Sequence, residues 1–201
     1  MVMESIVKLP QSFFLGENVC EIAEKLLGKV IVTRINEQIT SGIIIETEAY
    51  AGPIDCASHA YNNKRTKRTE TMFGEGGVAY IYLIYGIHHL FNVVTNSKDI
   101  PHAVLLRGIE PLEGLEIMQQ RRNTDKLNGF TYGPGTATQA LGIKTLHDGE
   151  NLRNNTIWIE ERGIIVKPGF VIASRRIGVD YAGDHADWLW NFRVKPETLI
   201  C

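Results

Sequence analysis

In the segment IIIETEAY, the alternation of an extended strand turns Glu46, Glu48 and Tyr50 to one side and Thr47 and Ala49 to the other. A carboxylate and an aromatic ring then share a wall, and a carboxylate among apolar neighbours is suited to take a proton from water. Taken alone the motif is weak, because acidic residues near strand ends are more often surface groups. The second cluster is YIYLIYG, in which Tyr80 and Tyr82 share a strand face and Tyr85 precedes Gly86, a residue suited to a tight turn. Aromatic strand residues usually pack in a core, whereas an aromatic side chain at a hairpin tip can wedge into a base stack. Arg107 ends the apolar run HAVLLRG, a position that calls for a carboxylate or phosphate partner, and Glu48 is one candidate.

The run Lys64, Arg65, Lys67 and Arg68 packs four cations into KRTKR, either as a solvated loop or as a phosphate-contacting surface. His59, His88, His89 and His102 show no HExxH spacing, and adjacent His88 and His89 face opposite sides of a strand, so no metal is expected. GPGT, residues 133–136, opens an apolar helical stretch and could offer backbone amides to a phosphate, which by itself is a weak signal.

These residues need a frame. Val19, Ile22, Ala23, Leu26 and Leu27 recur at helical spacing before Gly28, which predicts an amphipathic helix over NVCEIAEKLLG. Segments rich in β-branched and aromatic residues predict strands at VIVTRI, ITSGIIIETEAY, VAYIYLIYG, LFNVVTN, HAVLLRGIE, TIWIEE and IIVKPGFVIAS. Most of the connections are too short for crossover helices. The expected architecture is therefore α+β: a single domain over 1–201 with a curved, mostly antiparallel β-sheet, flanking helices near LEGLEIMQQRR and ATQALG, and a protruding β-hairpin. The polar stretch from Asp55 to Thr71 lies between two strong strands, and a loop of that length is functional or disordered.

With 201 residues, 44% hydrophobic and 22% charged, the chain can bury a full core. It lacks the apolar run of ~20 residues that a membrane span needs, and its opening lacks a signal-peptide pattern, so an intracellular protein is expected. Cys20, Cys56 and Cys201 are scattered and odd in number, which fits neither a disulfide framework nor a thiolate zinc site. The net charge of −2 gives no overall pull toward nucleic acid, so any attraction must be local.

Taken in order, ETEAYAGPIDCASHAY, KRTKRTETMF, YIYLIYGIHHLFNVV, AVLLRGIEPLEG and YGPGTATQALGI resemble the alkyladenine (3-methyladenine, or methylpurine) DNA glycosylases, from about Pro10 to Val194. The resemblance implies that Glu48 activates water, with Arg107 and the backbone carbonyl of Ile177 helping to hold it. It also implies that Tyr50 and Tyr82 stack on a flipped base that His59 positions, that Asn92 crowds the amino group of normal guanine, and that Tyr85 is the wedge. The basic run would meet phosphates. Gly135-Thr136 stand where many relatives carry a lysine, which removes a phosphate contact from the implied set. The implied partner is double-stranded DNA with damaged purines, bound by a monomer without cofactor; the implied reaction is monofunctional hydrolysis of the N-glycosyl bond of 3-methyladenine, 7-methylguanine, hypoxanthine or ethenoadenine. Two rivals are a non-catalytic damaged-DNA-binding module, which has no use for a carboxylate facing phosphates, and a hydrolase of free nucleosides, which needs neither a basic run nor an exposed Tyr85.

Overall fold

The computed structural model describes residues 7–126 and 128–200, so the expectations that touch Met1–Ile6 and Cys201 lie outside the described residues. Eleven strands and four α-helices follow in the order β1 (Val7–Lys8), α1 (Gln11–Phe14), α2 (Val19–Leu26), β2 (Val30–Ile35), β3 (Gln38–Ala51), β4 (Ala79–Ile84), β5 (His88–Thr95) and β6 (His102–Glu113). Then come α3 (Leu115–Arg122), α4 (Pro134–Leu141), β7 (Ile157–Glu161), β8 (Ile165–Val166), β9 (Ile172–Ser174), β10 (Asn191–Arg193) and β11 (Leu199–Ile200). Every strand pairing among the described residues is antiparallel.

The sheet order is β1-β7-β2-β3-β6-β5-β4. The long β3 organises it. One edge pairs with β6 over most of its length, while the other is divided: β2 takes Gln38 to Ile43 and β10 takes Glu46 to Glu48. Register shifts near Ser41, Ile44 and Glu46 are the bulges that let so long a strand bend around a core.

The helix predicted at 18–28 forms over Val19–Leu26, where the Asn18 side-chain oxygen accepts the N–H groups of Cys20 and Glu21 as an N-cap. Its apolar face, Val19, Ile22, Ala23 and Leu26, joins Ile31, Ile44, Phe91, Leu106 and Ile109 of the sheet, and α4 adds Ala137, Ala140 and Leu141. The predicted single strand over IIVKPGFVIAS is instead two short ones, β8 and β9. Pro168 can donate nothing to a ladder and Gly169 turns the chain at φ +82°, which breaks the run between them. The polar stretch 55–71 is ordered by short turns at Tyr61–Asn63 and Glu70–Phe73 and by the interlocked hydroxyls of Thr66 and Thr69. No described helix is long and apolar enough to cross a membrane.

Candidate active site

Where β3, β5 and β6 face the 55–71 segment, a cavity of about 550 Å³ opens, lined among others by Tyr50, His59, Tyr82, Asn92, Arg107 and Ile177. Residues 100 or more positions apart in the chain thus meet at one concave wall. Its floor is apolar, formed by Met72, Leu90, Ala103 and Leu105.

Glu48 is wholly buried and sits one layer behind the wall, held by three of the lining residues. The Tyr50 hydroxyl donates to Oε2 at 2.8 Å, the Ile177 N–H donates to Oε1 at 2.8 Å, and Arg107 Nη1 approaches Oε2 at 3.4 Å. The Ile177 contact therefore runs through its amide N–H, an addition to the carbonyl role that the resemblance implied. A fourth partner was not expected from sequence: Asn191 lies opposite Glu48 in the β3–β10 ladder and donates to Glu48 Oε1 at 3.1 Å and to Glu46 Oε1 at 2.8 Å. Arg107 Nε completes the set by donating to Glu46 Oε1 at 3.2 Å. The four donors satisfy both oxygens of a carboxylate that is cut off from solvent and hold it in one orientation.

The aromatic walls are equally determined. Burial, then the Glu48 charge and hydrogen bond, push the Tyr50 phenol well above its ordinary value, so it remains a donor. Tyr50 also lies 4.8 Å from the guanidinium of Arg176, which forms a buried pair with Asp55 and donates to the carbonyls of Ala49 and His185. Across the cavity, His59 Nδ1 and the Tyr80 hydroxyl are 2.9 Å apart, and the His59 ring stands edge-on to Tyr82 at 4.6 Å. Burial, and secondarily the Arg68 charge, hold the His59 imidazole down to about 4, so it is neutral over the physiological range. Asn92 is buried, donates to the Tyr80 carbonyl at 3.1 Å and turns its remaining surface to the cavity.

The β4–β5 hairpin projects at the cavity mouth. Tyr85 and Gly86 both have positive φ, 52° and 72°, and the Ile87 N–H closes the turn on the Ile84 carbonyl. Tyr85 is 85% exposed at the tip, with Leu83 and Ile87 also exposed beside it. At the hairpin base, His88 packs so closely on Gly135 that a Cβ there would lie 2.9 Å from the ring, which explains a glycine at the start of α4. Of the GPGT amides, Gly133 already donates to the Arg107 carbonyl and Pro134 has none, so only those of Gly135 and Thr136 remain.

The basic run divides. Arg65 is committed to Glu70 and Asp99 on the surface, at 2.6 and 2.7 Å. Lys64, Lys67 and Arg68 are all exposed, but Arg68 borders the cavity, with its guanidinium 5.0 Å from the Tyr82 ring. Tyr181, 71% exposed, also lines the cavity and donates to the Ala57 carbonyl, a position sequence reasoning passed over. Among the described residues no three His, Cys, Asp or Glu side chains converge as a metal site would require.

Residues 13–198 match the family model described as methylpurine-DNA glycosylase. Three bacterial relatives are named "Putative 3-methyladenine DNA glycosylase". The relative from Chlamydia felis is 48% identical over 187 residues, covering 92% of this chain and 94% of its own. That from Clostridium perfringens strain 13 is 42% identical, covering 93% and 96%, and that from Bacillus cereus AH820 is 42% identical, covering 96% and 98%.

Proposed function

The chain belongs to the methylpurine-DNA glycosylase family, and so is a DNA-repair hydrolase of N-glycosyl bonds; from that premise we propose that it flips alkylated or deaminated purines out of duplex DNA and releases them with water activated by Glu48. The chain acts as one glycosylase domain, monomeric and without cofactor, and its substrates are 3-methyladenine, 7-methylguanine, hypoxanthine and ethenoadenine.

One observation carries the reading: a carboxylate, wholly buried and four times hydrogen-bonded, lies behind a cavity walled by Tyr50, His59 and Tyr82. In the proposed reaction the flipped purine stacks between Tyr50 and the Tyr82–His59 pair, and Asn92 crowds a guanine amino group. Tyr85 fills the gap left in the duplex, where unstacking costs a few kcal/mol and least at a damaged pair. A water oxygen bonds to C1′ as the C1′–N bond breaks; the water proton passes to Glu48 and the bonding pair leaves with the base. The 3.4 Å Arg107–Glu48 contact is the loosest of the four, and there the water is accommodated. As C1′ gains cationic character, the carboxylate stabilises it. No lysine lines the cavity among the described residues, which supports simple hydrolysis without an amine nucleophile that would nick the strand.

The test is excision of hypoxanthine and alkylated purines from labelled duplex DNA by the wild type and by Glu48→Gln. Release by the wild type, reduced by ~10²–10⁴ in the variant, supports the reading. Full activity in Glu48→Gln removes Glu48 as the base, and lesion binding without release by either protein favours a damage-binding module.

A further inference from the structure

The cavity contains a cation of its own. Two arginines line it, Arg68 and Arg107, and Arg107 is neutralised by Glu46 and Glu48. A third, Arg176, lies against Tyr50 from the protein side but is paired with buried Asp55. Arg68 has no carboxylate partner among the described residues, unlike its neighbour Arg65. Its guanidinium lies 5.0 Å from the Tyr82 ring, and Nη2 is 3.4 Å from His59 Nε2. The neutral imidazole presents a lone pair there, and Arg68 is the donor that faces it.

We propose that Arg68 is a specificity-determining residue, a resident cation of the base pocket that favours neutral purine lesions over cationic alkylpurines. The inference rests on the cavity being the base pocket. A purine stacked on Tyr82 stands within a few ångströms of the guanidinium, and the two kinds of lesion meet it differently. Hypoxanthine, neutral, carries O6 and N7 as acceptors. An Arg68 N–H donated to either stabilises the negative charge that the departing base acquires as the C1′–N bond breaks. A 7-methylated or 3-methylated purine already bears a positive charge. It repels Arg68 and competes with it for the same aromatic faces, so it is accommodated only when the side chain swings out. The structure thus gives Arg68 a place beyond the phosphate contact expected from its position in KRTKR.

The experiment measures single-turnover excision of hypoxanthine and of 7-methylguanine, each in the same duplex at saturating enzyme, by wild type, Arg68→Ala and Arg68→Gln. The expected result is a rise of about fivefold or more in the ratio of 7-methylguanine to hypoxanthine excision in both uncharged variants. A smaller rise, or a fall, overturns the proposal; equal losses on both lesions, with a shallower salt dependence of DNA affinity, make Arg68 a phosphate contact only. Should Arg68→Ala fail to fold, the longer Arg68→Gln gives the same ratio. Excision of neither lesion by the wild type would bring down the pocket assignment itself, and this proposal with it.

Discussion

Asn191 stands directly across the ladder from Glu48, and its single side-chain amide bridges two carboxylates, Glu46 and Glu48. Two like charges two residues apart on one strand face repel, and the bridge, with Arg107 on the other side, holds them in one geometry. Replacing Asn191 with Asp adds a third carboxylate to the cluster, beside the buried Glu48 and the half-buried Glu46, and removes the shared donor. Single-turnover excision is expected to fall by about tenfold or more through misplacement of Glu48, while lesion affinity, measured in parallel, changes little. Equal excision by wild type and Asn191→Asp would deny Asn191 a positioning role.

The Asp55–Arg176 pair supports the wall carrying Tyr50, and both side chains are wholly buried. Asp55→Ala leaves a guanidinium without its counter-ion in the interior, so stability is expected to drop by about 3–5 kcal/mol in denaturant titration. A double variant, Asp55→Ala with Arg176→Met, should recover part of that loss, because no charge is then stranded.

Tyr85 occupies a left-handed conformation at φ 52° and buries little of its ring. Tyr85→Gly relieves the backbone and forfeits almost no packing, while the freer unfolded chain offsets the gain. The melting temperature is expected to stay near that of the wild type while affinity for a lesion duplex falls by about tenfold, the worth of one stacking contact. Unchanged affinity would exclude Tyr85 as the wedge.

His59 titrates in the folded protein at about 4, below the ordinary 6.5. Between those values the unfolded chain holds a proton that the folded one does not. Stability is therefore complete above 6.5 and declines as pH falls toward 4. His102, also lowered by burial, adds to the same slope. Urea midpoints compared at about pH 7 and about pH 4.5 should fall less in His59→Gln than in the wild type.

Much of this site is legible in the sequence where it depends on local period. Strand alternation puts Glu46, Glu48 and Tyr50 together, and the Tyr85-Gly86 pair marks the hairpin tip. What sequence reasoning missed depends on closure between distant segments. Asn191 reads as an ordinary residue between Trp190 and Phe192 until β10 is laid beside β3. Arg176 reads as one of two adjacent arginines, yet Arg175 meets Asp187 at the surface and Arg176 is wholly enclosed. The placement of Arg68 was likewise hidden, since KRTKR shows four cations in five residues but not which one borders the cavity.

The late position of β10 in the chain bears on synthesis. Glu48 leaves the ribosome long before Ile177 and Asn191, two of its four hydrogen-bond donors, and domains assemble as the chain emerges. A nascent or prematurely terminated polypeptide would already carry the basic segment and the Tyr85 hairpin while its carboxylate lacked its final partners. Under the role proposed for Glu48, hydrolysis of the N-glycosyl bond therefore waits until translation has delivered residues 177 and 191.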